Sequence, residues 1–526
     1  MKIYFMFHRS TFKGFLCVQC ILQKYGIILT EYFEYSKNGG LKMSNSTQAS
    51  AKNRIYSLLD ENSFVEIGAM VTKRNTDFNL QEKSVPADGV VTGYGMIDGN
   101  LVYVYSQDAA ALGGTIGEMH AKKIAHLYDL ALKVGAPIIG LIDCAGIRLQ
   151  EGLDALAGFG EIYLKQTMAS GVIPQISAVF GKCGGGAAVS GSLSDFTFME
   201  AKNAKLFVNA PNALDGNYVE KCDTAAADFQ AKAGVVDFVC EDEMAVLSQI
   251  RELVKILPVN NEDDASFEEC TDDLNRLTEG LGVESADPAK ALADISDNAF
   301  FMEAKKDYAK EMVTGFIRLN GMTVGAVANR SAVLDDSYKA VEEFEQVLTT
   351  AGCYKAAQFV SFCDAFQIPI LTLTNVGGYQ ATVKEEQSLA IASAKLTYAL
   401  ANATVPKVNV ITEKAFGSAY ITMNSKHIGA DLVFAFENAQ IGMMDAKSAA
   451  EIMYADEIDA AADKKAVVNE KAAEYSALQN SVEAAARRGY VDNVISPDSA
   501  RKQLIYAFEM LFTKREGRPD KKHGTV

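Results

Sequence analysis

Short runs of aliphatic residues alternate along the chain with longer stretches in which apolar residues recur at helical spacing. The short runs predict buried strands over 137–143, 175–180, 407–412 and 432–436. The longer stretches predict helices over 118–134 and 385–401, and a polar-faced helix over 456–488 that ends at Gly489. Strands and helices in alternation are typical of an α/β domain with short crossovers.

The pattern occurs twice along the chain. Three pairs of similar segments lie 232 residues apart, and they contain Pro137 and Pro369, Pro174 and Pro406, and Lys182 and Lys414. Two flanking pairs match with a different spacing, Thr92 with Thr314 and Gly234 with Gly489. A constant offset of this length is far longer than the period of a solenoid repeat. It indicates a duplicated domain.

Composition divides the chain into five parts. The segment between the two copies is rich in Asp and Glu and poor in apolar residues, so we expect a solvated linker. Residues 1–42 differ in their residue pattern from the rest of the chain, and translation is expected to begin at Met43. We predict a non-native or disordered extension at 1–42 and an N-terminal domain at 43–260. The acidic linker at 261–299 is followed by a C-terminal domain at 300–518 and a tail at 519–526.

The overall charge and the reactive residue types narrow the class of protein. The 526 residues carry 50 Lys and Arg against 67 Asp and Glu, a net charge of −17, which disfavours nucleic acid as a partner. Five His and nine Cys, with one CxxC at Cys17 and Cys20, form no recognised metal or triad motif, so no metal is predicted. No apolar run reaches the roughly 18–20 residues of a membrane span. We therefore expect a cytoplasmic protein.

Candidate chemistry lies at two glycine turns in equivalent places of the two copies. Gly185 and Gly186 in the first copy, and Gly417, Ser418 and Ala419 in the second, follow a predicted strand and precede a helix-compatible run. The first N–H groups of a helix lack an intrahelical partner, and small residues let a ligand approach them. Such N–H pairs stabilise an oxygen that gains negative charge in a transition state. The alternative is a simple packing turn.

Longer motifs carry a resemblance to a known family. They include GVVTGYG, GGTIGEMH, RLQEG and ATVPKVNVIT, at 89–95, 113–120, 148–152 and 403–412. Through them the chain resembles the carboxyltransferase subunits of biotin-dependent enzymes, a family that includes propionyl-CoA carboxylase beta subunits and methylmalonyl-CoA decarboxylase alpha subunits. The similarity covers nearly everything after Met43.

The resemblance implies two tandem crotonase-like domains related by the duplication. In this family acyl-CoA lies mainly on the N-terminal domain and biotin on the C-terminal domain of another subunit, so that the active site forms at a dimer interface. It also implies transfer of a carboxyl group between biotin and a short-chain acyl-CoA without a side-chain base. Two oxyanion holes stabilise the two developing anions.

Carried over by position, the resemblance implies a role for each turn. Amides around Gly185 and Gly186 would hold the thioester enolate, and those around Gly417, Ser418 and Ala419 the biotin urea oxygen. The acyl-CoA side would be formed by Lys122, Lys123, Arg148, Lys182, Ala145 and Gly146, and its four basic residues are the candidates for contacts with the CoA phosphates. The biotin side would be formed by Gly377, Gly378 and Ile421. Ile421 would face the biotin ring or the acyl group, and its alternative is simple core packing. For each basic residue the alternative is a solvated surface or a structural ion pair.

The resemblance also implies partners. The chain has no AMKM biotinylation motif and no biotin carboxylase half, so biotin is expected on a separate carrier protein. The further partner is either a biotin carboxylase subunit or the subunits of a membrane sodium-pump decarboxylase, to which the chain would be peripheral. The subunit is expected to form a dimer-based homo-oligomer, with a hexamer as one option. The acyl-CoA is propionyl/methylmalonyl-CoA or acetyl/malonyl-CoA.

Two other functions stay open from the sequence. One is a CoA hydratase or hydrolase that combines one oxyanion hole with a carboxylate such as Glu151 or Asp445. The other is a degenerate, non-catalytic scaffold subunit of a carboxylase complex.

Overall fold

The computed structural model describes residues 50–76, 85–263 and 267–519. The predicted extension 1–42, with Cys17 and Cys20, lies outside these residues, as do Met43 and all but the first residue of the predicted tail. The remaining predictions can be compared with the structure.

Two eight-stranded mixed sheets form the frame of the molecule. The first sheet has the order β1-β2-β3-β4-β5-β6-β8, with β7 paired to the end of β5. Its strands are β1 (Val65–Ile67), β2 (Val90–Ile97), β3 (Asn100–Gln107), β4 (Ile138–Cys144), β5 (Gln175–Gly184), β6 (Phe196–Glu200), β7 (Lys205–Phe207) and β8 (Phe238–Cys240).

The second sheet repeats this arrangement. Its order is β18-β16-β15-β14-β11-β10-β9, with β17 paired to the end of β15, and β12 and β13 form a separate hairpin. The strands are β9 (Met302–Ala304), β10 (Met312–Leu319), β11 (Met322–Asn329), β12 (Ala332–Leu334), β13 (Ala340–Glu343), β14 (Ile370–Val376), β15 (Lys407–Phe416), β16 (Leu432–Phe436), β17 (Gln440–Gly442) and β18 (Asn493–Ile495).

Helices connect the strands in both halves. Those of the first half are α1 (Ala51–Leu58), α2 (Glu118–Val134), α3 (Gly152–Ala169), α4 (Gly186–Ser192), α5 (Asp215–Glu220), α6 (Ala227–Lys232) and α7 (Glu243–Ile256). Those that follow are α8 (Leu281–Glu284), α9 (Pro288–Ile295), α10 (Thr350–Ala365), α11 (Val383–Glu386), α12 (Leu389–Asn402), α13 (Gly417–Thr422), α14 (Ala446–Met453), α15 (Ala455–Ala460), α16 (Lys464–Tyr475), α17 (Val482–Arg487) and α18 (Ala500–Leu511). Within the described part of the chain, every helix is too short or too polar to cross a membrane.

Strand register confirms the duplication residue by residue. Ile138 of β4 lies opposite Gln175 of β5, and Ile370 of β14 lies opposite Lys407 of β15. Each residue of the second pair therefore lies the predicted 232 positions after its equivalent in the first pair. Both pairings also shift register at the same place, just after Ile142 in one half and its equivalent in the other. The prediction of two related α/β domains is therefore confirmed.

Most of the predicted elements exist close to their expected bounds. Helix α2 and strand β16 coincide with the predictions over 118–134 and 432–436. The predicted helix over 385–401 begins at Leu389, after the separate short helix α11. Strands β5 and β15 each continue four residues beyond the predicted ends, because β7 and β17 pair with these extensions.

Two predicted segments differ from the structure. The second half of the expected linker forms α8 and α9, and Leu281, Leu292 and Ile295 are buried in the core of the second half. Leu292 and Ile295 lie three residues apart on one face of α9, and the segment packs despite its acidic composition. The single polar helix expected over 456–488 is instead three helices, α15, α16 and α17, because the Asp463 and Ser481 side chains cap two new starts. Its predicted end is correct, since α17 stops just before Gly489.

An aromatic cluster joins the two halves. The Phe196 ring at the start of β6 lies 4.8 Å from the Phe362 ring of α10 and 5.9 Å from the Phe316 ring of β10, measured between centroids. Phe196 and Phe316 are buried in one hydrophobic core that contains residues of both halves. Since such rings bury large apolar areas, this contact stabilises the two halves as one unit.

A carboxyl group at this junction makes stability depend on pH. Burial, with the nearby Asp237 carboxylate, raises the pKa of Asp195 to about 7, although Asp195 accepts the Gln175 amide at 2.8 Å. The equivalent Asp431 accepts the Lys407 amide in the same way but also pairs with a lysine, Lys514, at 2.8 Å. The stabilisation from a protonated Asp195 is full below about pH 4 and is lost as the pH rises through about 7.

We therefore expect the Asp195→Asn variant to gain melting temperature relative to the wild type as the pH rises from about 5 to about 8, because its amide cannot ionise. Thermal melts at several pH values measure this difference. Asp431→Asn is the matched control: it loses an ion pair and shows no such gain. A difference between Asp195→Asn and the wild type that stays constant with pH would contradict the prediction.

Candidate functional site

The first glycine turn lies where β5 passes into α4. Gly185 has φ +60°, a conformation that glycine adopts without strain, and the helix begins at Gly186. The Gly185 N–H donates to the Phe207 carbonyl of β7 at 2.9 Å. Gly185 therefore shapes the turn, and the amides of Gly186 and Ala187 are the first that the helix leaves without an internal partner. The donor pair is therefore Gly186 and Ala187 in place of the predicted Gly185 and Gly186.

The second turn repeats this bend at the end of β15. Gly417 has φ +62° and opens α13, so the backbone turns in the same way as at the equivalent residue of the first half. Ser418 is exposed and Ala419 is buried. Ile421 is half-buried and packs on the core, with one side left open. The amides of the first helical turn thus lie beside a surface that a ligand can reach.

Neighbouring residues hold the first turn. The Tyr163 hydroxyl donates to the Gly186 carbonyl at 2.7 Å. Ala145 and Gly146, which follow β4, lie against the end of β5: a side chain at Gly146 would stand 3.2 Å from the Gly184 carbonyl oxygen. Ala145 is exposed. The structure therefore brings these two predicted residues next to the predicted turn.

Gly377 and Gly378 occupy the equivalent place in the second half. Val376 pairs with Ala415, which sets the loop beside the strand end that leads into the second turn. The Gly377 N–H donates to the Gln346 carbonyl at 2.6 Å, and the Gly378 carbonyl accepts the Leu348 N–H at 2.9 Å. The loop is thus bound to the segment before α10, and the Gly377 amide is already used within the protein.

A cleft of about 540 Å³ opens beside the first turn. Lys182 on β5 and Lys205 on β7 are register partners, and both line it together with Phe207. Lys182 is exposed, while Lys205 forms an ion pair with Asp223 at 2.7 Å. Two lysines and an aromatic ring at the entrance to a backbone-amide turn can bind an anionic ligand that carries a planar group.

Two of the four basic residues predicted for CoA phosphates point into the protein instead. The Lys123 ammonium is buried and donates to the Ala87 and Val90 carbonyls, and burial lowers its pKa to about 8. The Arg148 guanidinium is fully buried between Asp88, at 2.5 Å, and Glu151, at 2.8 Å. Neither group can contact a ligand from solvent, so these two predictions are wrong. The Lys123 ammonium and the Arg148 guanidinium are instead bonded to carbonyl and carboxylate groups of the protein itself.

Lys122 is the remaining basic candidate. Its ammonium is exposed and bonds Glu118 at 2.7 Å, one helical turn earlier in α2. That carboxylate raises the pKa of Lys122. The residue is free to exchange this surface partner for another anion, because exposed ion pairs are weak.

Several supporting residues were not predicted from the sequence. They are Tyr163, Ala187, Lys205, Gln346 and Asn375. The 232-residue offset could have indicated Asn375, because it is the counterpart of Asp143 at the end of β4. The described part of the chain has no group of three or more His, Cys, Asp and Glu arranged to bind a metal ion.

The twin sheets, with the same turn at the end of the same strand, define a duplicated crotonase-like protein of the carboxyltransferase class. The model of the carboxyl transferase domain family matches residues 45–526. The chain belongs to this family, which confirms the resemblance seen in the sequence.

Named relatives agree with this assignment. The chain is 40% identical to the methylmalonyl-CoA decarboxylase subunit alpha of Propionigenium modestum, over 93% of this chain and 96% of the relative. It is also 40% identical to the propionyl-CoA carboxylase beta chain of Roseobacter denitrificans, over 90% of this chain and 93% of the relative. Among solved structures, the chain matches transcarboxylase 12S, a hexamer with methylmalonyl-coenzyme A bound. The TM-score is 0.84 and the identity 38%, over 91% of this chain and 92% of that structure's chain.

Proposed function

We propose that the chain is the carboxyltransferase component that moves a carboxyl group between carrier-bound biotin and a short-chain acyl-CoA of the propionyl/methylmalonyl or acetyl/malonyl type. The observation that carries the proposal is the pair of equivalent turns, at Gly185 and Gly417, inside a chain of the carboxyl transferase family. Relatives named for methylmalonyl-CoA and propionyl-CoA support the substrate class.

The proposed chemistry needs no side-chain base: the α-proton of the thioester would pass to the carrier's biotin, and backbone amides stabilise the charge that its departure creates. When an α-proton leaves the thioester, negative charge moves onto its carbonyl oxygen, and the amides of Gly186 and Ala187 stabilise that enolate. The amides of Ser418 and Ala419 stabilise the second anion in the same way. Each donor is fixed by a helix start, so it needs no reorganisation when the charge develops.

The residues of the second turn fit biotin. Exposed Ser418 leaves its backbone amide accessible. Gly377 is exposed, although its N–H is bonded to Gln346, and a side chain at Gly378 would meet open space. Half-buried Ile421 offers an apolar contact for a ring. Biotin supplies the site with the carboxyl group and takes it back. The chain holds the ring and stabilises the charge on its urea oxygen.

The acyl-CoA side is assigned to the cleft beside the first turn. Lys182 faces the solvent there, so it is the proposed contact for a CoA phosphate. The Lys182→Met variant is expected to weaken binding of a CoA thioester about fivefold, the equivalent of about 1 kcal/mol for an exposed charge pair. Calorimetric titration measures the dissociation constant.

The matched control is Lys464→Met, which removes an exposed lysine paired with Asp459 at the start of α16. Its affinity for the thioester should equal that of the wild type. If both variants bind alike, the phosphate contact does not involve Lys182.

Contacts of the two candidate carboxylates count against a hydratase or hydrolase. Glu151 is buried against Arg148 and accepts the Glu118 amide at 2.6 Å. The Asp445 carboxylate caps α14 by accepting the Lys447 amide at 3.0 Å. Both side chains already have structural partners, so neither is available as an acid or base for the thioester.

The proposal includes partner subunits and a homo-oligomer. Helix α3 leaves Leu153, Leu156, Leu164 and Met168 exposed, and an apolar surface of this kind favours subunit contact. The proposed assembly is dimer-based and extends to a hexamer like that of transcarboxylase 12S. It works with a biotin carrier protein and with either a biotin carboxylase or membrane decarboxylase subunits, in the cytoplasm or at the membrane surface.

The direct test combines the purified chain, a carrier bearing labelled carboxybiotin and a panel of acyl-CoA thioesters. Label should pass to a propionyl-type or acetyl-type thioester and return in the reverse reaction. A folded chain that transfers no label to any thioester would support the scaffold function instead.

A further inference from the structure

The two halves differ at one place near the second turn. Ten residues, 108–117, connect β3 to α2 in the first half, whereas twenty, 330–349, connect β11 to α10 in the second. This insertion changes the offset between the copies from 222 to 232 residues. It forms the β12–β13 hairpin, and every residue of β13 is exposed. The first half has no counterpart of this hairpin among its described residues.

Gln346 connects the end of the inserted segment to the second turn. Its carbonyl accepts the Gly377 amide at 2.6 Å. Its side-chain oxygen accepts the Lys414 ammonium at 2.6 Å, and its side-chain nitrogen donates to the Glu413 carboxylate at 2.7 Å. Glu413 and Lys414 lie four and three residues before Gly417, on the strand that positions the turn.

Asn375 completes the network from the neighbouring strand. Its amide nitrogen donates to the Glu413 carboxylate at 3.0 Å, and its oxygen accepts the Lys414 N–H at 3.3 Å. Three separate segments are therefore bound together by exposed Glu413, half-buried Gln346 and Lys414, and buried Asn375. Because all four hydrogen-bonding groups of the Gln346 and Asn375 side chains at this point have partners, the network fixes the strand end against the loop of Gly377.

The first turn is held in a different way. The residue equivalent to Glu413 is Gly181, where a side chain would stand 2.0 Å from the Asp143 carboxylate. Asp143 accepts the Lys182 N–H at 3.2 Å and lies 3.6 Å from the buried Arg54 guanidinium. The first half thus uses a buried charge under the strand, and the second half uses a network at its surface.

We propose that Gln346 is a positioning residue for the second turn, which sets the geometry of the carrier-dependent step and not that of acyl-CoA binding. This inference rests on the proposed function of that turn. The inserted hairpin carries Gln346 to the mouth of the second site, where it fixes the loop of Gly377 relative to Ser418. Without it, Glu413 and Lys414 lose their shared partner and the strand end can move.

The first experiment is Gln346→Ala in the full chain, assayed with a biotinylated carrier and methylmalonyl-CoA. A small misplacement of the amides should lower kcat for carboxyl transfer about tenfold to hundredfold. The dissociation constant for the CoA thioester should stay unchanged. Glu342→Gln is the control within the same hairpin, since it removes only an exposed ion pair with Lys310; its kcat should equal that of the wild type.

A charge exchange separates positioning from a general loss of structure. Gln346→Glu introduces a carboxylate beside Glu413, so kcat relative to the wild type should fall as the pH rises and the introduced group ionises. In the double variant Gln346→Glu/Glu413→Gln, the amide introduced at position 413 can donate to the carboxylate introduced at position 346, so the hydrogen bond is restored in the opposite direction. The double variant should recover most of the lost kcat and abolish the added pH dependence.

Four results would overturn the inference. With an active wild type, an unchanged kcat in Gln346→Ala would show that the turn does not need this residue. A double variant as slow as Gln346→Glu, or a loss of CoA affinity equal to the loss of kcat, would show that the residue serves the fold as a whole. A wild type that transfers no carboxyl group to any carrier would remove the proposed function together with the inference.

Discussion

Replacing Ser418 by proline is expected to abolish carboxyl transfer while CoA binding persists. Ser418 lies in the first turn of α13, where an N–H has no intrahelical acceptor, so proline deletes the donor without breaking a helical hydrogen bond. Removing one oxyanion-hole donor lowers kcat roughly 100- to 1000-fold in other enzymes. The measurements are kcat with a biotinylated carrier and the dissociation constant of a CoA thioester.

Ser418→Ala provides the matched control because it keeps the N–H and removes only an exposed hydroxyl. Its kcat should equal that of the wild type. Equal loss in both variants would assign the effect to the hydroxyl and not to the amide. A selective loss of CoA affinity in the proline variant would show that the two turns have the opposite roles.

The repeated architecture could be predicted because its signals are local. Proline-led aliphatic runs and the glycine turns recur at one spacing, and the strands of both halves take their positions from those runs. Helix α2 was predicted over its full length because its apolar residues follow helical spacing without interruption. The duplication therefore needs no long-range information to be recognised.

The segment between the halves shows where average composition misleads. Many acidic residues suggested a solvated linker, yet Leu281 of α8 enters the core, as do Leu292 and Ile295 on one face of α9. Spacing, and not the fraction of charged residues, decides whether such a segment packs. The helix expected over 456–488 fails for a related reason: the capping residues Asp463 and Ser481 start new helices within a uniformly helix-favouring composition.

The supporting network of the second turn depends on contacts between distant residues. Gln346 reaches Glu413 and Lys414 across 67 and 68 positions of the chain, through a loop inserted in one copy only. Comparison of the two copies therefore cannot indicate it. By contrast, the positions of Gly146 and Gly378 could be inferred, because each follows the same strand at the same offset.

Arg148 is expected to be required for folding stability and not for CoA binding. Its guanidinium is fully buried, and it bonds Asp88, Glu151 and the Thr115 carbonyl. The Arg148→Met variant leaves two buried carboxylates without their cation, and breaking a buried ion pair in this way destabilises a protein by about 3–5 kcal/mol. We expect a large fall in melting temperature at neutral pH.

Thermal melts and calorimetric titration distinguish the two roles that a motif arginine could have. Lys182→Met, which removes an exposed charge, should melt like the wild type and bind the CoA thioester less tightly. Arg148→Met should show the reverse when titrated well below its melting temperature. Lowering the pH should reduce the difference between Arg148→Met and the wild type, because burial already raises the pKa of Asp88 and protonation removes the unpaired charge. A variant with wild-type stability and weak thioester binding would restore the phosphate contact that the sequence suggested.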